Sequence, residues 1–361
     1  MKQIVCISHE PWSTFPTRTQ HLITRLKDTQ VLFFEPCGAD RKKYRDKGRR
    51  VRPGVLLYTL PPCFPYRENH NRLFSMGQKK LARYIEKTMA RHRFREPLLW
   101  TTSPEQFSLL DCLSYRALLY DCDRDWSQFP IQWESELTLA ADLVFSASEE
   151  LRSHLSPCNN NIALIPNGGN HPMFSRTDLP RPLLLLDLEG PILGWAGAIS
   201  ADLDLAPLLF AAHSHPNWNF ILLGRLDQGN PLLGRTLACP NVTHISLSSL
   251  LELPDYLAHC NVCLNLLRAQ DQGLDIIPSR IYEYLSTGHP VVSMLWPDQV
   301  EHFPDVIYGA HTPEAFCQLC EKALEEAPGW VSGRRQSYGE AAAWSNRAAD
   351  VSRILSTAGF C

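Results

Sequence analysis

No stretch of this chain approaches the roughly 18 consecutive apolar residues that a membrane-spanning helix requires. The richest run, Leu183 to Leu188, is broken by Asp187. The opening residues, MKQIVCISHEPW, hold too short an apolar block for a secretory leader, so the expected compartment is the cytoplasm. Signature motifs of several enzyme classes are also missing. No GxGxxG follows the first strand pattern and no Walker A sequence occurs, so NAD-dependent and ATP-hydrolysing readings lose support. No GxSxG elbow is present, which counts against an α/β-hydrolase. Asp202 and Asp204 have DxD spacing but open a helix pattern instead of ending a strand. No short internal repeat or low-complexity tract is found.

What is present describes a globular chain. With 361 residues, 44% of them hydrophobic, it is long enough for more than one domain. Its twelve cysteines are scattered, several within apolar strand patterns (Cys6, Cys122, Cys263), where cysteine serves as a small buried hydrophobe. Reduced thiols are expected. Two CxxC pairs, Cys260/Cys263 and Cys317/Cys320, lack the close second pair or nearby histidines of a zinc site. Cys317 and Cys320 also fit the apolar face of a helix.

The net charge of -3 conceals a strong asymmetry. Residues 41–95 carry 17 Lys and Arg against 3 Asp and Glu, and the remainder carries 18 against 35. A polyanionic partner fits the basic segment: an anionic membrane surface, a lipid-linked phosphate or nucleic acid. A solvated helix face plus a basic loop is the plainer alternative.

Strand and helix patterns alternate almost throughout. Strand patterns fall at 4–8, 31–35, 55–60, 98–102, 117–121, 143–147 and 162–166, with helical patterns at about 18–28, 70–93, 104–112, 131–140 and 148–155. Continuous apolar strands in βα alternation imply a parallel sheet covered on both faces. Turn-forming pairs between 168 and 190 mark a linker. A second series follows, with strands at 192–197, 219–224, 242–247, 262–267 and 290–295. Its helices are expected near 204–213, 249–258, 280–287 and 313–326, and a last amphipathic helix near 340–357. Two doubly wound domains, 1–170 and 191–339, are therefore expected, joined by 171–190, with 340–361 packing back on the first. Ligands should bind in the cleft between them, at the carboxyl ends of strands.

The segment IPSRIYEYLSTGHPVV, Ile277 to Val292, reads as a short helix, a glycine stop at Gly288 and a buried strand. Pro278 disfavours helix before it, and Ser279 suits the N-cap. A helix N-terminus at the mouth of a parallel sheet favours an anion. Arg280 in the first turn opposes the helix dipole unless an anion sits there, and its paired donors match phosphate oxygens. Glu283, an acceptor-only carboxylate, suits a vicinal ribose diol. An i,i+3 surface ion pair between the two is the open alternative.

PSRIYEYLSTGHPVVS resembles the donor-binding segment of GT-B glycosyltransferases of the family 4 group, and more closely a bacterial subgroup acting in surface-polysaccharide and teichuronic-acid-type synthesis. Other stretches resemble that subgroup in order: SHEPWSTFPTRTQHL (8–22), ALLYDCDRDW (117–126), ADLVFSASEEL (141–151), IPNGGNHPMF (165–174), WAGAISADLDL (195–205), LPDYLAHCNVCLNLLR (253–268) and WSNRAADVSRIL (344–355). Departures are visible. Asp275 stands where the usual Glu-x7-Glu pair has its first acid, and Arg124 replaces an acid of the YDC segment. Asn170 replaces an aspartate, and no base follows the first strand of the second domain.

The resemblance implies a GT-B fold: two Rossmann-like, doubly wound domains with an interdomain cleft. It implies a retaining glycosyltransferase that moves a sugar from a nucleotide-sugar to a glycan or lipid-linked acceptor. The donor set would be Arg280, Glu283, Ser279, Pro278, Tyr282, Gly197 and Asn167. The catalytic set would be Asp121, at the end of a first-domain strand, His21, near the acceptor side, and Asp275, near the donor sugar. Three of these residues have plainer readings: a cap for Asp121, a packed helix histidine for His21, a hinge turn for Asn167. No metal or other cofactor and no nucleic acid is expected. The basic 41–95 region would dock on the inner face of the cell membrane or hold an anionic glycan. A GT-B-like nucleotide-sugar epimerase and a non-catalytic nucleotide- or glycan-binding homologue are the alternatives.

Overall fold

The computed structural model describes residues 2–37, 47–64, 66, 71–227, 229–247, 249–267, 275–294, 302–327 and 329–360, with the side chains of 71 and 72 excepted. The chain divides into two compact units, Met1–Pro166 with Arg347–Cys361, and Asn167–Asn346.

The first unit contains β1 (Lys2–Ile7), α1 (Arg18–Ile23), β2 (Thr29–Glu35), β3 (Arg49–Arg52), β4 (Val55–Thr59), α2 (Asn71–Arg91) and β5 (Leu98–Thr101). A 3₁₀ helix (Pro104–Cys112), β6 (Ala117–Cys122), α3 (Ile131–Ala140), β7 (Leu143–Ser146), α4 (Glu149–Leu155) and β8 (Ile162–Leu164) complete it. Among the described residues the sheet runs β3-β4-β2-β1-β5-β6-β7-β8. The strands are parallel except β3, which pairs antiparallel with β4. The chain order reverses direction between β1 and β5, the switch point where ligands bind outside strand ends in such sheets. Burial of every β6 residue explains its unbroken apolar text. β3 has no apolar pattern to announce it: RRVR is an exposed edge, and its charge blocks further strand pairing.

α1 is shorter than its pattern. Thr17 and Gln20 form a reciprocal capping box at its start, and the Thr24 hydroxyl donates to the Gln20 carbonyl at its end.

The second unit contains α5 (His171–Phe174), β9 (Ile192–Ala196), α6 (Ala206–Ser214), β10 (Asn219–Leu223), α7 (Leu233–Leu237), β11 (Val242–Ile245) and α8 (Leu253–Leu257). Then come β12 (Val262–Asn265), α9 (Ser279–Thr287), β13 (Val291–Ser293), β14 (Ile307–Gly309), α10 (Pro313–Leu324) and α11 (Trp330–Ala341), and the last helix, α12 (Trp344–Thr357), starts here but belongs to the first unit from Arg347 on. The sheet order is β11-β10-β9-β12-β13-β14, all parallel. One face packs Trp195, Phe220 and Leu264 under α6 and α10. The other packs Ile221, Cys263 and Val291 under α8 and α9. Residues 171–190 are part of this unit: Phe174 and Leu185 are buried in that second layer.

The last helix, expected near 340–357, runs Trp344–Thr357, and a separate helix, α11, which the sequence did not announce, precedes it. α11 stops at Ala341 because Ala342 and Trp344 pair with Gly169 instead, through Gly169 N to Ala342 O (3.1 Å) and Trp344 N to Gly169 O (3.0 Å). From Arg347 onward the chain belongs to the first unit.

Candidate functional site

In the second unit, the switch point lies between β9 and β12, and Gly197 follows β9 there. Gly197 has φ +144, and a Cβ on it would fall 2.2 Å from Arg280 Nη2 and 2.5 Å from Cζ. A Cβ on Gly224, after β10, would fall 2.1 Å from the Gly197 carbonyl oxygen. Two bare glycines thus let the ends of β9 and β10 and the Arg280 guanidinium close on one another.

Arg280 comes from the first turn of α9. Its Cζ sits 4.5 Å from the centre of the Trp195 ring, a cation–π placement. Its Nε is buried and has no hydrogen-bond partner among the described residues. Arg280 and Glu283 make no ion pair in this structure, so the i,i+3 alternative does not hold: the guanidinium turns to Trp195 and Gly197 instead.

The helix that carries them is anchored along its length. Ile281, Tyr284 and Leu285 are fully buried, and the Tyr284 hydroxyl accepts from Ala196 N at 2.8 Å, tying α9 to the end of β9. Gly288, at φ +81, terminates the helix in the left-handed conformation. The N-cap is Pro278 and not Ser279, and no side chain caps this end. Ser279 is displaced because Pro278 is extended, φ -63 and ψ 141, while its carbonyl already accepts from Ile281 N. The Ser279 and Arg280 N–H groups at this uncapped end are therefore available to an anion.

Glu283 is half-buried in the same helix. Burial pushes its carboxyl up to about 7, against the opposing pull of Arg280. Gly169 permits a close approach here: a Cβ on it would lie 3.0 Å from Glu283 N and 3.1 Å from Tyr282 Cβ. Asn167 Nδ2 donates to the Ile277 carbonyl at 3.0 Å. Tyr282 is buried, with its ring edge-on to Phe303 at 5.7 Å. Six of the seven residues the sequence assigns to the donor (Asn167, Pro278, Ser279, Arg280, Tyr282, Glu283) thus lie on or against the start of α9, and Gly197 meets them through Arg280.

Asp275 stands four residues before that helix in left-handed backbone, φ +51. Its Oδ2 lies 2.8 Å from His302 Nε2, and its buried Oδ1 has no partner among the described residues. His302 carried no signal in the sequence.

The other two catalytic candidates are in the first unit. Asp121 is the last residue but one of β6 and only 1% exposed, and its Oδ1 accepts from both Nε and Nη2 of Arg18 at 3.0 Å. Burial raises its carboxyl and Arg18 opposes that shift. Asp121 therefore docks α1 on the sheet. His21 is also buried, and Arg25 Nη1 donates to its Nδ1 at 3.0 Å. Burial, then Arg25, depresses the imidazole to about 3, so it stays neutral.

A polar cluster unassigned by the sequence stands beside them, at the switch point of the first sheet. His9, after β1, hydrogen-bonds Thr102, after β5, through its backbone N–H and pairs Nδ1 with the same hydroxyl, both at 2.9 Å. Its ring is edge-on to Trp126 at 5.0 Å. Arg124 bridges Glu10 at 2.7 Å and Asp123 at 3.1 Å, and its Cζ lies 5.5 Å from the Trp126 ring centre. Although Glu10 is desolvated, its pairing with His9 and Arg124 brings its carboxyl down to about 2. DCDRD also has DxD spacing, but Asp121 is committed to Arg18 and Asp123 to Arg124. Of the basic region, 41–46, 65 and 67–70 lie outside the described residues. Arg49, Arg50, Arg52, Lys80, Arg83 and Lys87 are exposed. A depression lined by Lys2, Arg95 and Arg116 opens at the amino ends of β1, β5 and β6, away from the strand ends where ligands gather.

No protein-family model matches the chain. It is similar to TuaH of Bacillus subtilis (strain 168), named a teichuronic acid biosynthesis glycosyltransferase, with 26% identity over 253 residues, 63% of this chain and 63% of the relative. The match thus spans less than two thirds of that relative's length. Sucrose-phosphate synthase from Thermosynechococcus elongatus superposes with a TM-score of 0.77 over 99% of both chains, at 17% identity. The chain has the GT-B fold. A further GT-B structure, Anabaena HepE in complex with UDP and glucose, superposes with a TM-score of 0.69 at 13% identity, covering 99% of this chain and 100% of that one.

Proposed function

We propose that this chain is a retaining glycosyltransferase that transfers a sugar from a nucleotide-sugar to a glycan or lipid-linked acceptor in surface-polysaccharide assembly. The observation that carries the reading is the uncapped start of α9, where the buried Arg280 Nε has no partner beside a glycine that admits its guanidinium. That arrangement supplies fixed positive charge to a diphosphate. Glu283 supplies an acceptor for the ribose diol. The UDP and glucose held by HepE and the name of TuaH support the same chemistry.

In this reading, the bond from the sugar's anomeric carbon to the diphosphate breaks as the acceptor oxygen bonds from the same face. The acceptor proton passes to the departing phosphate oxygen. Arg280 and the α9 N–H groups stabilise the charge that develops on that oxygen. The two substrates are held so that the step is effectively intramolecular. No metal takes part. The exposed basic residues of β3 and α2 hold the protein against the anionic inner face of the membrane, where lipid-linked acceptors lie.

A thermal-shift screen against UDP-, GDP-, ADP-, CMP- and dTDP-sugars tests this reading. One donor class should stabilise the parent and fail to stabilise Glu283→Ala. If none stabilises the parent, the reading fails. Turnover of the selected donor without any acceptor would point to an epimerase instead.

A further inference from the structure

Both cysteines of the CxxC pair in α10 are buried in one core cluster. Cys320 is fully buried, and Cys317, 4% exposed, meets Ser214 at the end of α6. Beside Cys317 stand His215, the C-cap just past α6, and Glu321, one helical turn on. One ligand atom from each of the three lies within 4.8 Å of the other two.

We propose that His215, Cys317 and Glu321 form a zinc-binding site that pins α6 to α10 on the outer layer of the second unit. The three donors are an imidazole nitrogen, a sulfur and a carboxylate oxygen, a mixed set that suits Zn²⁺ and leaves a fourth position for water. Around tetrahedral zinc such atoms stand about 3.3–3.8 Å apart, so the widest separation must close a little while the His215–Glu321 pair opens slightly. Its parts are suited to that. The His215 ring is stacked flat on Trp218, with centroids 3.8 Å apart and planes at 5°, which fixes the direction of its nitrogens. His215 Nε2 already lies 2.9 Å from Glu321 Oε1. Glu321 is 48% exposed and free to adjust, and Cys317 and Glu321 share a face by their i,i+4 spacing. α6 and α10 pack directly on one another. Zinc replaces the thiol proton of Cys317, which passes to solvent, so binding releases a proton and strengthens as pH rises. The site is independent of the donor chemistry proposed above.

The test uses the full chain after chelator treatment. Zinc titrated by calorimetry should bind at one equivalent and raise the thermal midpoint. Cobalt in its place should give thiolate-to-metal charge-transfer absorption. Cys317→Ser should remove that absorption and weaken zinc by at least the roughly 10–100-fold that loss of an outer-shell partner costs. Glu321→Gln, on the surface, should weaken zinc while preserving the fold. Cys320→Ser, and Cys112→Ser at an exposed cysteine of the first unit, should leave both readouts unchanged. Absence of stoichiometric binding at micromolar free zinc would overturn the proposal. So would binding that survives Cys317→Ser or depends on Cys112.

Discussion

The Arg280 guanidinium lies 4.5 Å from the centre of the Trp195 indole, in the space a side chain at position 197 would need. The ring holds the cation in place without neutralising it. A charge held by an aromatic face keeps its hydrogen-bond donors for a ligand, whereas a carboxylate partner would consume them. Gly197→Ala should therefore damage this site twice. It strains a backbone at φ +144 by about 1–3 kcal/mol, and it expels the guanidinium. Denaturant melts should show the stability loss, and calorimetry should show weaker nucleotide binding. Full affinity in a folded Gly197→Ala protein would remove Arg280 from the donor site.

Glu283→Ala should weaken nucleotide-sugar binding roughly 10–100-fold, since hydrogen bonds to a charged group are worth about 1.5–3 kcal/mol. Calorimetry at pH 8 is the measurement, with circular dichroism as the check on folding. The affinity of the parent should rise between pH 6 and 8, because the carboxyl titrates at about 7 and only its ionised form accepts both diol hydroxyls. The stability of the free protein should move the other way. A carboxyl raised from 4.5 to about 7 contributes stability in full below pH 4.5 and loses it as pH rises through 7. Glu283→Gln should flatten both trends.

His21 carries the opposite sign. Its folded value of about 3 lies below the ordinary histidine value of 6.5, so its contribution is present above pH 6.5 and lost as pH falls toward 3. His21→Gln should reduce the acid sensitivity of thermal unfolding between pH 6.5 and 4. An unchanged profile would mean that the ring is solvated.

Arg18→Met should cost about 3–5 kcal/mol by stranding the Asp121 carboxylate. The double replacement Arg18→Met with Asp121→Leu should recover part of that loss, as removal of both charges of a buried pair often does. Urea unfolding of the three variants is the comparison. Additive losses would mean that the two side chains do not interact.

Replacing Arg49, Arg50 and Arg52 with Gln should reduce sedimentation with anionic vesicles, by about 1 kcal/mol for each base near the surface. Neutral vesicles should show no difference. Equal sedimentation of mutant and parent with anionic vesicles would end the membrane role.

Much of this architecture could be read from local text. Unbroken apolar strands announced both sheets, and Gly288 announced the end of α9. What was hidden depended on distance or on absent pattern. Arg18 meets Asp121 across 103 positions and His302 meets Asp275 across 27, and no local rule links either pair. β3 is three arginines and a valine, which reads as loop. The break between α11 and α12 falls in AAAW, text that favours helix, because Gly169 supplies competing backbone partners. Ser279 missed the cap by one residue because Pro278 had already turned the chain.

Arg335, only 1% exposed, donates through Nε to the Val306 carbonyl at 2.8 Å and through Nη2 to Glu326 at 2.6 Å, and its Nη1 reaches the Gly288 carbonyl at 3.4 Å. The far end of α9 is thus anchored to the body of its unit, as its middle is by Tyr284. On the proposed donor role, a helix held this way cannot re-aim itself to suit a different base or sugar. Attempts to redirect donor choice by directed evolution should therefore find their gains in the side chains around the start of α9. Substitutions that loosen Arg335 should lower expression before they broaden specificity.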